Sequence, residues 1–157
     1  MRAGDLVLDV GAGTGAITRP LVHRGARVLA VELHPGRAAA LRKAVPPERV
    51  TVVVADGADL RLPRRPFRVV ANPPFAATTG LLRRLTAPGS RLIRADLVVP
   101  FHVAARWTSP RAPGARRWSR DFDARLGPTV PRGAFSPAAP CGAVVLVLAR
   151  RCDARER

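Results

Sequence analysis

The sequence predicts an α/β fold: a mostly parallel sheet with helices on both faces and an antiparallel last strand. Short apolar runs alternate with helix-like stretches through about the first hundred residues, the pattern of strands buried beneath helices. A polar or acidic residue follows each of the first four runs, and a glycine-rich turn follows the first. The chain has 157 residues, 47% of them apolar, which is enough for one buried core and leaves little room for a second.

The elements follow in order. Leu6 to Val10 reads as a first strand, Ala16 to Arg24 as a helix and Arg27 to Val31 as a second strand. Pro35 suits the first turn of the next helix, whose apolar positions Ala38, Leu41 and Val45 recur at helical spacing. Val50 to Val54 and Phe67 to Ala71 are mostly apolar and read as fully buried strands. "TTGLLRRL" reads as a helix and "LIRADLVV" as a fifth strand. Residues 108–140 repeat Pro and Gly among arginines and keep little periodicity, so they read as a surface segment with "TVPRGAF" a short edge strand. "GAVVLVLAR" then closes the sheet. Residues 1–151 form the expected domain, and residues 152–157 a frayed tail.

Charge points to the partner. The formal net charge is +16, which favours a polyanion, most simply nucleic acid, over an acidic membrane surface. Preference for Arg over the single Lys43 is also what a GC-rich genome produces, but codon bias does not account for the shortage of acids. Between Asp59 and Asp121 the only carboxylate is Asp96, while Arg106, Arg111, Arg116, Arg117 and Arg120 all fall in that interval. These five arginines are the expected phosphate contacts. Cys141 and Cys152 make a poor disulfide framework, and His23, His34 and His102 lack metal-ligand spacing, so no metal is expected. The N-terminus has no signal-peptide form, and "AVVLVLA" is far shorter than the roughly 20 residues of a membrane span. A cytoplasmic protein without a membrane partner is expected, with a monomer as the default state.

The turn "LDVGAGTGAIT" places Asp9 at the end of the first strand, with Gly11, Ala12 and Gly13 entering a helix. Glycines there permit positive φ and close approach of a ligand to the backbone. The spacing is G-x-G-x-G rather than the G-x-G-x-x-G of dinucleotide sites, which favours S-adenosylmethionine. Glu32, followed by Leu33, ends the second strand where a carboxylate would accept from ribose hydroxyls. Asp56, followed by Gly57, ends the third and would face an adenine amino group. The plain alternatives are a tight turn and two loop acids.

"VVANPPFAAT" ends the fourth strand at the same edge. An adenine amine is a poor nucleophile because its lone pair is delocalised into the ring. Accepting its two hydrogens at the Asn72 side-chain oxygen and the Pro73 carbonyl would free that pair, and Pro73 and Pro74 would keep the acceptors fixed. Phe75 would offer a face for an unstacked base. The alternative is a proline-terminated strand with a core phenylalanine.

Together, "DVGAGTG", "AVELHP", "VVVADGADLRLP", "FRVVANPPF" and the late "VPRGAFSPAAPCGAVVLVL" resemble the rRNA adenine N6-methyltransferase family, and within it the Erm type. The resemblance runs from about Asp5 to Arg151. It implies a Rossmann-like class I S-adenosylmethionine-dependent methyltransferase that modifies an adenine of 23S rRNA and gives macrolide, lincosamide and streptogramin B resistance. It assigns Gly11, Gly13, Glu32 and Asp56 to the cofactor, Asn72 to the target amine and Phe75 to the base. Family members carry some tens of residues before the glycine loop, with a Gln-Asn/His-Phe-Leu element, and a helical C-terminal domain. Here Met1 stands almost directly before the first strand, so a short form is expected. "PAAPCGA" lacks the family's usual acid, and Pro100 stands where Gln is typical. A DNA adenine methyltransferase and a non-catalytic RNA-binding remnant of the same fold are the competing readings.

Overall fold

A computed structural model describes residues 1–135 and 142–151, except for the side chain of Phe75. The chain runs β1 (Leu6–Val10), α1 (Thr18–His23), β2 (Arg27–Glu32), α2 (Pro35–Ala44), β3 (Val50–Val54), β4 (Phe67–Ala71), α3 (Phe75–Leu85) and β5 (Leu92–Pro100). It continues through α4 (Phe101–Thr108), α5 (Ala115–Trp118), β6 (Phe122–Val130), a 3-10 turn at Arg132–Ala134 and β7 (Ala143–Arg150). These form one seven-stranded sheet in the order β3-β2-β1-β4-β5-β7-β6. The first five strands are parallel, and β7 runs antiparallel between β5 and β6.

Both faces of the sheet are covered. In β1, Val7, Leu8, Asp9 and Val10 are all buried, as a central parallel strand requires. One face buries Leu8, Phe67, Leu81, Leu85, Leu97 and Trp107 in a core beneath α3 and α4. The other buries Val7, Leu21, Val28 and Leu41 beneath α1 and α2. Pro35 sits at the start of α2, where its missing N–H costs nothing, and the His34 imidazole Nδ1 accepts from the Gly36 N–H at 3.2 Å. The first predicted helix is shorter than Ala16 to Arg24 by a residue or two at each end, the usual uncertainty of helix boundaries.

The stretch after β5 departs further from expectation. "FHVAARWT" forms α4, and residues 108–135 are more than a surface segment. Ala112, Trp118 and Phe122 are buried within them. The Trp118 ring stacks on Trp107 with centroids 5.6 Å apart, and its indole N–H donates to the Pro113 carbonyl at 2.9 Å. The edge strand is nine residues long and lies earlier than predicted: Thr129 and Val130 end β6, and "RGA" turns into the 3-10 helix. Gly127 and Pro128 hid this strand, because the pairing register shifts between Leu126 and Thr129 and leaves them outside the ladder. "GAVVLVLAR" is the last strand, β7, antiparallel as expected, and it lies between β5 and β6. Residues 136–140, Cys141 and the predicted frayed tail lie outside the described residues.

The Trp pair gives a direct check. Trp107→Ala should lower unfolding free energy by about 3–5 kcal/mol, the range for deleting a large buried aromatic, as read by urea denaturation.

Candidate functional site

The strand order reverses between β1 and β4, and parallel sheets hold ligands at such a point, beyond the carboxyl ends of the strands. A cavity of about 690 Å³ opens there. The structure brings Gly11, Gly13, Glu32, Leu33, Asp56, Gly57, Asn72 and Pro73 together on its wall. Ala12 and Asp9 are buried and do not line it. The role predicted for the Phe75 ring concerns a side chain outside the described residues, although Phe75 is placed as the first residue of α3.

Backbone geometry explains the glycines. Gly11 has φ +78°, and a Cβ there would lie 3.1 Å from the Asn72 carbonyl oxygen and 3.2 Å from Pro74 Cδ. Only a residue without a side chain lets the two turns approach this closely. The Gly11 and Ala12 N–H groups donate to the Val31 carbonyl at 2.8 and 3.1 Å, fixing the loop to the end of β2. Glu32, 5% exposed, accepts from the Gly13 N–H at Oε2 (2.8 Å) and from the His34 N–H at Oε1 (2.9 Å). Each carboxylate oxygen keeps further acceptor capacity for ligand hydroxyls.

Asp56 turns the loop after β3, its Oδ1 accepting from the Ala58 N–H at 2.8 Å. At Gly57 any side chain would run into Val10. Asn72 is exposed at the end of β4, and among the described residues neither its carboxamide nor the Pro73 carbonyl takes part in a hydrogen bond. The Pro74 carbonyl is engaged, accepting from the Ala77 N–H at 2.9 Å and the Thr78 hydroxyl at 3.2 Å. Two acceptors of the turn therefore stay unpaired among the described residues, on residues that line the cavity, and the third anchors α3.

Arg37, Val98, Phe135 and Ala143 also line the cavity and were not assigned to it from sequence. Phe135 lies in the "VPRGAF" stretch, whose motif character was the available signal. The residues present fit S-adenosylmethionine: glycines that leave room at the backbone, and acids placed for hydroxyl and amino groups rather than for phosphate. Among the described residues, no group of three or more His, Cys, Asp or Glu is gathered to hold a metal ion, and no helix is long and apolar enough to cross a membrane.

The arginines form a separate feature. Arg106 on α4, Arg116 and Arg117 on α5, and Arg111 and Arg120 on either side of α5 are exposed, form no ion pair among the described residues, and do not line the cavity. The single acid of that interval, Asp96, is already taken by Arg94 at 2.6 Å.

Asp9 lies fully buried beneath the glycine loop. The Thr18 hydroxyl donates to its Oδ2 at 2.6 Å, which ties β1 to the start of α1, while Oδ1 has no hydrogen-bond partner among the described residues. It ties β1 to α1 from the interior and does not line the cavity, where the sequence had placed it among the cofactor contacts. Burial pushes the Asp9 carboxyl up to about 6, against the Thr18 hydrogen bond and with added repulsion from Glu32. The unfolded chain releases this proton near 3.8, so the folded state binds it more tightly between those values. Stability should therefore fall as pH rises from about 4 to about 6, by about 3 kcal/mol, and level off above. Asp5, held below the usual carboxylate range by the Arg2 N–H and by Arg68, acts only in more acidic solution. In Asp9→Asn this fall should vanish, as measured by urea midpoints across pH 4–7.

Comparison with known proteins agrees with this geometry. The family model for ribosomal RNA adenine dimethylase matches residues 1–151. An rRNA adenine N-6-methyltransferase of Corynebacterium diphtheriae is 35% identical over 94% of this chain and 58% of the relative. An rRNA methyltransferase of Streptomyces thermotolerans is 36% identical over 94% of the chain and 50% of the relative. A ribosomal RNA small subunit methyltransferase A of Anaeromyxobacter sp. strain K is 32% identical over 92% and 57%. The chain thus spans little more than half the length of these curated relatives. The crystal structure of the 23S rRNA methyltransferase ErmE matches with a TM-score of 0.85 at 24% identity, over 97% of this chain and 64% of that one. A dimethyladenosine transferase from Plasmodium falciparum matches at 0.81 and 19%, over 96% and 57%, and both likenesses show the Rossmann-like class I methyltransferase fold. With the sheet order, the glycine loop and the NPPF turn in place, the chain belongs to the ribosomal RNA adenine dimethylase family.

Proposed function

We propose that this chain carries the catalytic part of an S-adenosylmethionine-dependent methyltransferase that modifies N6 of an adenine in 23S rRNA, and so gives macrolide, lincosamide and streptogramin B resistance. The observation that carries this reading is the pair of open acceptors, Asn72 Oδ1 and the Pro73 carbonyl, on the cavity that also holds Glu32 and the glycine loop. The 35% and 36% identical relatives are named for rRNA, which favours an rRNA substrate over the DNA alternative, and the similar ErmE structure is named for 23S rRNA. A second reading, modification of small-subunit rRNA, is favoured by the 32% identical relative of that name.

S-adenosylmethionine would supply, when bound, an electrophilic methyl group on a sulfonium. Glu32 would accept from its ribose hydroxyls, Asp56 from its adenine amino group, and Gly11 and Gly13 would leave room for it at the backbone. Asn72 and Pro73 would take the two amine hydrogens of the target adenine and free the nitrogen lone pair. Pro73 and Pro74 lock that turn, and Phe75 would stack on the flipped base. The methylated nitrogen sheds its extra proton to water, so no protein base is required. Arg106, Arg111, Arg116, Arg117 and Arg120 would hold rRNA phosphates, and the protein would act in the cytoplasm as a monomer.

The chain is incubated with labelled S-adenosylmethionine and protein-free 23S rRNA, 16S rRNA or duplex DNA. Label in 23S rRNA, recovered as N6-methylated adenosine, is expected; label in 16S rRNA alone selects the second reading, and label in DNA alone discards both. Asn72→Ala should lower transfer about 100-fold, in the range seen for a lost transition-state hydrogen bond, and Phe75→Ala about 10- to 100-fold, as loss of one base–aromatic stack implies, with cofactor binding by calorimetry retained in both. Unchanged turnover in both variants would remove the mechanism. Reversing charge at Arg116 and Arg117 should weaken rRNA binding and flatten log K against log salt by about 1 to 2, as two lost phosphate contacts require.

A further inference from the structure

A second concave site lies at the opposite end of the sheet. Leu6 and Arg27 begin β1 and β2, and a cavity of about 490 Å³ opens over these strand starts. At roughly 3.3 Å per residue, Arg27 stands roughly 17 Å along β2 from Glu32 and the methyl-transfer cavity. The groove exists because the connection from β3 to β4, residues 55–66, contains no helix. It crosses the sheet as a loop and leaves Leu6 and Leu29 half-buried on an apolar floor.

Arg27, Arg49, Arg61 and Arg65 surround that floor, all exposed, with Glu48 the one acid among the lining residues. Arg49 reaches the Gly25 carbonyl at 3.4 Å. Among the described residues, Arg27, Arg61 and Arg65 form no side-chain hydrogen bond or ion pair, and Glu48 pairs with none of the four. Four guanidinium groups around a concave, low-dielectric floor focus a positive potential that a flat charged surface would dissipate into water. Arginine also matches phosphate oxygens in pairs. The connection that begins with Asp56 at the methyl-transfer cavity carries Arg61 and Arg65 to this groove, so a single loop joins the two ends of the sheet.

We propose that this groove binds the sugar-phosphate backbone of an RNA strand, a second contact remote from the site of methyl transfer. The proposal rests on the function proposed above, since the strand is taken to belong to the rRNA substrate. Charge selects the occupant: a net surplus of cations around an apolar floor suits phosphodiesters with ribose between them.

The test is binding of a 23S rRNA domain transcript by fluorescence anisotropy across 50–300 mM KCl, for the wild-type chain and for Arg61→Glu/Arg65→Glu. The double variant should flatten the slope of log K against log salt by about 1 to 2. It should raise KM for RNA with kcat and calorimetric cofactor binding unchanged. Arg24→Glu/Lys43→Glu, the same charge change at residues that do not line the groove, should flatten the slope less. If this control pair has an equal effect, net charge alone accounts for the result and the groove is overturned. An unchanged slope in Arg61→Glu/Arg65→Glu, while wild type still labels rRNA, overturns the groove and leaves the proposed function standing. Wild type that neither binds nor labels rRNA removes both. A change in concentration-dependent sedimentation without a change in slope would show a second copy on this face and also overturn the proposal. Should the glutamate pair fail to fold, Arg61→Gln/Arg65→Gln is measured the same way, with a slope change of the same sign.

Discussion

The site depends on one close approach, that of the Gly11 α-carbon to the backbone of Asn72 through Pro74. A single added methyl would stand 3.1 Å from the Asn72 carbonyl oxygen, tighter than ordinary van der Waals contact. This joins the end of β1 to the end of β4 across the point where the sheet order reverses. The same loop is fastened to β2 twice, through the Val31 carbonyl and through the Glu32 carboxylate. Three strand ends are therefore held by one short segment, and the acceptors at Asn72 and Pro73 inherit their positions from it. Preorganisation of this kind is where electrostatic catalysis gets most of its effect, because the groups need not rearrange as charge develops.

Electrostatics divides the molecule into two territories. Asp9, Glu32 and Asp56 gather at the carboxyl ends of the strands, while the exterior carries most of the +16 charge. Under the proposed function this division serves two ligands: a cationic sulfonium is favoured near the acids, and a polyanion is drawn to the surface around them. The local cost is visible at Asp9, where a carboxylate oxygen lies buried without a hydrogen bond. Its partner Thr18 shows what that cost secures, a fixed join between the first strand and the first helix.

Much of this was legible in the sequence, for a physical reason. The apolar runs of β1, β2 and β4 are short and mostly buried, whereas β3, expected to be fully buried, lies at the sheet edge with Thr51 and Val54 exposed. In β2, β3 and β4 the first polar residue after the run marks the strand end, which is how Glu32, Asp56 and Asn72 are found. Burial on both faces of β1 masks the alternation that would tell one face from the other, and Asp9, expected at the cavity, lies in the interior. The second half was less legible. α4 was not anticipated, and β6 was obscured by Gly127 and Pro128, because both are defined by contact with distant parts of the chain: Trp107 with Trp118, and Phe122 with β7. Phe135 reaches the cavity through the chain's return after β6, which hydrophobic periodicity does not encode.

Gly127 and Pro128 in β6 have a bearing on how the molecule behaves among its own kind. The outer rim of a sheet presents unused amide and carbonyl groups to any passing extended peptide, and a long regular rim invites stacking into aggregates. Here the outermost strand is broken near its middle by a ring that carries no amide proton and by a residue with no side chain to pair. A would-be partner chain finds only two short, mutually offset footholds. The irregularity that concealed the strand thus leaves this rim of the sheet a poor template for a further strand.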